Sequence, residues 1–415
     1  MGTFRAFALK SAALAVLMVG STVAGIAPAT AEEGDGALAS TSEFVPLMHG
    51  MPNVGSELTI GRFFTRSCPV TEEAPHGFTM EWLSNGVPLP AERQGEFLKL
   101  IPEDRGNRIS FTAQSSCREG TVYHSAETPP IAASNRAMGW TGRGNFELLG
   151  RTDDGDLVLY PRTYESTWRF WDMSFEGRYY SSSWDEPRVV GTGWDVFDVV
   201  FSPGDFDGDG YNDAIGRDRY GNLHLYPGDG DGGWLVPSQI GAGWNIFDSI
   251  VGPGDFNGDG NNDVLARDRY GKLHLYPGDG QGGWLEPSQV GAGWQIFNKI
   301  IAPGDTSGDG AVDIFARDNS GVLHQYPADG QGGWKSPAVV GSGWGAMTEI
   351  SGAGVFSRNW VTYNPASAGR GPRNDVIAID QEGDLRLYTG AYPYDTGLYE
   401  VGEIGNGWDI FKDLI

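Results

Sequence analysis

The sequence predicts an all-β protein, a small sandwich followed by a five-bladed β-propeller closed by its C-terminal strand, on three observations. A block rich in glycine, aspartate and tryptophan recurs with a spacing of 50 residues from Pro203, Pro253 and Pro303. Short period-two runs with turn residues between them fill the chain from Phe44 onward. The last residues, Trp408 to Ile415, read WDIFKDLI and match the leading strand of each block, which the first copy lacks. A C-terminal strand that completes the opening blade removes both unpaired edges at once, which a solenoid has no reason to do.

Taken in order, Met1 to Ala31 has Arg5 and Lys10 flanking an apolar run from Ala12 to Val19 and closes on Ala29-Thr30-Ala31, the layout of a cleaved export signal (1–31). Secretion to the extracellular side is therefore expected. Residues 32–42 are acidic and poor in apolar side chains, and read as a flexible stub. No later stretch approaches the ~20 apolar residues of a membrane span. The formal charge of −25 excludes nucleic acid as a natural partner and favours bound cations.

From 43 to 132 the runs ELTI at Glu57, FTMEWL at Phe78, FLKL at Phe97 and RISFT at Arg108 alternate in polarity, with turns at Asn85-Gly86 and Asp104-Arg105-Gly106. They predict a small β-sandwich. Cys68 and Cys117 are the only cysteines, and in an exported chain they form one disulfide, two buried thiols being the alternative. The stretch resembles bacterial immunoglobulin-like modules, with Trp82 where an inter-sheet tryptophan stands. It departs from them at Ser115, where a corner tyrosine would precede the second cysteine.

The propeller is expected over 139–415. Besides the three strong copies there are two weaker ones, NFELLGRTDDGDLVLYP from Asn145 and NDVIAIDQEGDLRLYTG from Asn374. The clearest copy parses into four strands: Ile246 to Val251, Val264 to Arg267, Lys272 to Tyr276 and Trp284 to Val290. One such unit cannot bury both faces, so several must stack.

The chemistry sits in the turn between the first two strands of each strong copy. Asp205, Asp207, Asp209 and Asp213 occupy loop positions one, three, five and nine, and Gly210 stands at the sharp turn. Ca²⁺ takes six to eight oxygens from such flexible loops, and the carbonyl of Tyr211 at position seven completes the set. The second loop offers Asp255, Asn257, Asp259, the Asn261 carbonyl and Asp263, and the third offers Asp305, Ser307, Asp309, the Ala311 carbonyl and Asp313. The falling carboxylate count predicts the tightest binding in the first loop and the weakest in the third. In the first weak copy Gly139, Thr141, Arg143 and Glu147 fill the aligned places, and in the last Val355 replaces the first aspartate beside an insertion near Asn359 to Arg373. About three structural Ca²⁺ ions are therefore expected, and none in the outer copies.

These loops resemble the FG-GAP or VCBS repeats of integrin-α-like propellers, whose Asp-x-Asp-x-Asp-Gly-x-x-Asp pattern binds Ca²⁺ between blade strands. The resemblance implies adhesion, recognition or targeting. Trp194, Trp244, Trp294, Trp344 and Trp408 read as wedges between blades. Trp184, Trp234, Trp284 and Trp334 suit either wedging or stacking on a sugar ring. His224, His274 and His324 belong to different blades and are expected to pack within strands.

No His-Glu-x-x-His or Gly-x-Ser-x-Gly motif occurs, and an oxidised cysteine pair leaves no thiol nucleophile. The reading is a monomeric, non-catalytic recognition module for a cell-surface or cell-wall glycan or protein. The alternative is a secreted glycoside hydrolase or lyase with acidic catalytic residues on the propeller.

Overall fold

The computed structural model describes residues 48–60, 78–115, 122–171, 175–354, 356, 362–363, 374–390 and 398–415. The expected export signal, the stub, both cysteines and Val355 lie outside them. Among the described residues there is no α-helix; seven four-stranded antiparallel sheets and one hairpin are joined by turns and short 3-10 segments.

Two of the sheets belong to the N-terminal part. One pairs Phe78–Ser84 with Ile109–Ser115, the other pairs Glu57–Ile60 with Phe97–Lys99 and Met48–His49. Their buried residues share one core, in which Trp82 and Phe111 meet edge to face at 5.3 Å beside Leu58, Leu98 and Ile109. Thr362–Tyr363, from the insertion in the last repeat, adds a strand by pairing with Met48–His49. Nothing in the local sequence distinguishes that edge strand from a loop.

The other five sheets carry the repeat. Three follow in register: Phe197–Gly204, Asp213–Asp218, Leu223–Tyr226, Ser238–Gly241; then Phe247–Gly254, Asp263–Asp268, Leu273–Tyr276, Ser288–Gly291; then Phe297–Gly304, Asp313–Asp318, Leu323–Pro327, Ala338–Gly341. In the clearest copy the second and third strands lie within a residue of expectation, the first runs past Val251 to Gly254, and two starts move for identifiable reasons. The fourth strand starts at Ser288 rather than Trp284, because Pro287 has no N–H to give a ladder, and Trp284 makes an isolated bridge to Gly278. The first strand starts at Phe247 because Trp244–Ile246 forms a 3-10 turn, entered through the left-handed Gly243.

The last repeat sheet orders Met347–Gly352, Val376–Asp380, Leu385–Gly390 and Leu398–Gly405. The first repeat sheet comprises Leu148–Thr152, Leu157–Tyr160 and Arg188–Gly191, and its fourth member is the C-terminal strand Phe411–Leu414. The register is Phe411 opposite Thr152 and Leu414 opposite Gly150. A hairpin of Arg162–Trp171 and Phe175–Trp184, which the repeat pattern does not contain, is inserted in that copy.

Apolar cores lie between successive sheets. One joins Leu149, Leu157 and Leu159 to Trp194, Phe197 and Val200, and the next joins Ile215, Leu223 and Leu225 to Trp244, Phe247 and Ile250. Another joins Ile377, Ile379 and Leu387 of the last sheet to Trp408, Phe411 and Leu148 of the first. Burying each such Leu, Ile or Phe contributes roughly 1.5–3 kcal/mol, so the inter-sheet layers carry much of the stability.

Arginines tie the layers together. Arg217 pairs with Asp198 at 2.9 Å in its own sheet and donates to the carbonyls of Trp244 (3.0 Å) and Phe247 (2.6 Å) in the next. Arg151, Arg267 and Arg317 repeat the reach to Trp194 and Phe197, Trp294 and Phe297, and Trp344 and Met347. The linker after the sandwich is held among the loops of the repeat. Ser134 O accepts from Asp205 N (3.0 Å) and Asn262 Nδ2 (2.7 Å), and Asn135 O accepts from Asn212 Nδ2 (2.9 Å).

Candidate metal centre

Each acidic loop is a hairpin turn between the first two strands of a repeat sheet, pinned at its base by the pairs Gly204–Asp213, Gly254–Asp263 and Gly304–Asp313. The odd-numbered aspartates first organise the backbone. Asp205 accepts from Gly208 N at 2.7 Å and Gly210 N at 3.1 Å, and Asp209 accepts from Tyr211 N at 2.8 Å. Gly210 sits at φ +98°, and a Cβ there would come within 2.8 Å of Pro102 in the sandwich, so the residue is fixed twice over.

The result in the first loop is a cluster: one carboxylate oxygen from each of Asp205, Asp207 and Asp209 lies within 4.8 Å of the others. Asp205 is buried, and burial, followed by the charges of Asp209 and Asp207, pushes its pKa up to about 7. Asp213 is fully buried and is pushed up to about 8 by burial and by the charge of Asp207. Among the described residues no salt bridge reaches any of the four. Carboxylates that converge in this way without a basic partner, the innermost of them buried, fit a hard divalent cation.

Asp213 does more than the sequence reading assigned to it. Its Oδ2 accepts from Phe206 N (2.8 Å) and Asp207 N (3.3 Å), and its Oδ1 accepts from Gly228 N at 3.0 Å. It therefore anchors the loop to the following turn and stands outside the cluster of three. Glu147 in the first copy keeps this anchoring role, accepting from Trp140 N and Thr141 N at 2.8 Å each, while Arg143 at position five turns away to Asp185 at 3.0 Å. A position-nine carboxylate thus persists where the cluster has decayed.

The second loop repeats the geometry. Asp255 accepts from Gly258 N (2.7 Å) and Gly260 N (2.9 Å), Asn257 donates to Asp259 at 3.0 Å, and Asn261 N donates to Asp259. Asp263 accepts from Phe256 N and Gly278 N, and burial with the Asp255 charge pushes it up to about 7. In the third loop Asp305 is pushed up to about 7 by burial and by Asp313, but Asp309 meets Lys335 Nζ at 2.7 Å. Ser307 Oγ donates to Asp305 at 3.3 Å, and Ala311 N donates to Asp309.

The loops also form the seat of the sandwich. Arg105 Nε donates to Gly260 O at 3.1 Å, and Lys99 Nζ to Gly142 O at 2.9 Å. Arg105 was read only as part of a turn, and no signal in the sequence couples it to a glycine 155 residues away.

Both tryptophan sets lie between sheets. Trp194, Trp244, Trp294, Trp344 and Trp408 are buried. Trp234, Trp284 and Trp334 are half-buried, donate their indole N–H to the carbonyls of Val190, Ile240 and Val290, and pack on Trp194, Trp244 and Trp294 at 5.3–5.5 Å. That is wedge packing. Trp184 is wedged in the same way, donating to Ile404 O at 3.4 Å and lying 5.9 Å from Trp408, and it also lines a cleft of ≈ 320 Å³ with Tyr160, Asp185, Pro187, Asn406 and Trp408. His224, His274 and His324 each bond to the aspartate six residues earlier and pack on Phe197, Phe247 and Phe297.

A family model described as an FG-GAP-like repeat matches residues 205–266 and again 255–316, the stretch that holds all three loops. The chain thus carries FG-GAP-like repeats. No curated protein matches it in sequence. Similar solved structures include the BP39L lectin from Burkholderia pseudomallei, at 15% identity over 85% of this chain and 94% of that one, with a TM-score of 0.36. An Agrocybe aegerita lectin that recognises non-reducing terminal N-acetylglucosamine has 14% identity over 89% and 92%, with a TM-score of 0.34. The NanB sialidase of Streptococcus pneumoniae has 10% identity over 88% and 62%, with a TM-score of 0.26. All three are distant likenesses.

Proposed function

We propose that this is an exported recognition module: a closed, five-bladed propeller, stiffened by Ca²⁺ in its acidic loops, that holds a carbohydrate in the cleft between the last and first blades. An immunoglobulin-like sandwich seated on the loops completes it. Support for closure comes from the pairing of the C-terminal strand with Leu148–Thr152 and from the shared core between last and first sheets. Asp205, Asp207, Asp209 and their counterparts would hold the metal. Its contribution is charge neutralisation, which lets buried carboxylates stay ionised and fixes each hairpin.

The observation that carries the ligand reading is the composition of that one cleft. At the equivalent junctions, the place of Asp185 is taken by Leu235, Leu285 and Lys335, and that of Asn406 by Thr192, Ala242 and Ala292. Among the described junctions, only that between Trp184 and Trp408 sets a carboxylate and a planar amide beside aromatic walls, which is the pairing that sugar hydroxyls and sugar faces require. Asp185 is held by Thr163 at 2.8 Å and Arg143 at 3.0 Å, so its side chain is fixed before a ligand arrives.

A glycan array probed with the calcium-loaded chain tests the reading. Binding that is lost in Asn406→Ala and Trp184→Ala is expected, with no sugar released. Reducing sugar released from a bound glycan would instead establish the hydrolase or lyase alternative, and an array without binders would end the carbohydrate reading.

A further inference from the structure

We propose that Lys335 is a cation built into the third acidic loop, where it competes with Ca²⁺ for the same carboxylates. The inference rests on the calcium reading above. Leu235 and Leu285 hold the equivalent position in the first two repeats, so the third copy alone sends an ammonium group to its loop, 2.7 Å from Asp309 at position five.

Three further replacements converge on the same hairpin. Phe206 and Phe256 become Thr306, whose hydroxyl donates to Asp313 Oδ2 at 2.5 Å. Leu225 and Leu275 become Gln325, whose amide donates to the same oxygen at 3.0 Å. Asp207 and Asn257 become Ser307, which donates to Asp305. Each change puts a hydrogen-bond donor or a positive charge where the other copies have an apolar group or another acceptor. Asp313 is as fully buried as Asp213 and Asp263, and Asp305 is half-buried like Asp255, so this pair too needs its charge compensated. Here the chain supplies it from three segments: the loop itself, the third strand of the sheet, and the turn leading to the fourth.

Two consequences separate this loop from the others. An ion entering it must displace a tethered ammonium, which lowers affinity beyond the loss of one carboxylate. Without calcium the loop keeps its charge compensated and so keeps its shape. Asp313 Oδ1, the one loop carboxylate oxygen here that is buried and accepts no hydrogen bond among the described residues, remains as a donor for an ion once the lysine is gone.

The full chain, stripped with a chelator and titrated with CaCl₂ in a calorimeter, tests this with two reciprocal variants on exposed positions. The wild type is expected to show two tight sites and a third that is weaker by about tenfold or more. Lys335→Met should tighten the third by about tenfold, and Leu235→Lys should weaken one of the tight sites by a similar factor. In chelator, Lys335→Met should also melt below the wild type, and in excess calcium it should not. Three equal sites in the wild type, unchanged by Lys335→Met, would overturn the inference and leave the calcium reading standing. No binding by any of the three proteins would overturn both.

Discussion

Asp213 and its counterparts concentrate the chemistry of single residues in this protein. Burial and neighbouring charges raise Asp205, Asp213, Asp263 and Asp305 from the ordinary carboxylate value to about 7 or 8. A carboxyl raised on folding binds its proton more tightly in the folded chain, so the associated stability is complete below pH ~4 and is lost as pH rises towards 7–8. In chelator, the melting temperature should therefore fall between pH 5 and pH 8. With calcium the ionised form is the one held, and that fall should vanish; a calcium-free melting curve independent of pH over this range would contradict the burial argument. Asp213→Ala should cost roughly 2–4 kcal/mol even without calcium, since three backbone N–H groups lose their acceptor in a buried site. The candidate ligands were legible in the sequence because ligand spacing in a hairpin is local. The anchoring role of Asp213 was not, because Gly228 belongs to a turn two strands further on.

Among elements, the ties between successive sheets decide the behaviour of the repeat. Arg217 links two sheets through Trp244 O and Phe247 O while its charge is met by Asp198. Arg217→Met should destabilise by roughly 2–3 kcal/mol, read by chemical denaturation, because two buried carbonyls lose a charged donor. Arg317, whose partner is Asn298 rather than an aspartate, should cost less. The strand pattern itself was plain in the sequence: alternation in LHLY and the glycine-rich turns place the second and third strands within a residue, while the first runs three residues further than expected. The 3-10 turn at Trp244–Ile246 was less legible, since Trp244 is drawn into the core between sheets, whereas the late start at Ser288 follows from Pro287, a local signal that the strand reading passed over. The inserted hairpin and the Thr362–Tyr363 strand were invisible, as neither repeats.

At the scale of the whole molecule, the C-terminal strand and the acidic loops do the same job at different places, which is to turn a row of marginal sheets into one body. A single four-stranded sheet leaves an apolar face uncovered, and only its neighbours bury it. Removing residues 408–415 strips Leu148–Thr152 of its partner and takes Trp408, Phe411 and Leu414 out of the core between last and first sheets. The truncated chain should be insoluble or melt far below the full one, whereas an open solenoid would tolerate the loss of a terminal strand. The loops sit beneath the sandwich through Arg105 and Gly260, so calcium held there, as proposed above, would stabilise both parts together. Thermal unfolding of the full chain at neutral pH, in chelator and in excess calcium, tests this most directly. The prediction is a single transition that calcium raises by about 5 °C or more. Identical transitions in the two solutions would contradict it.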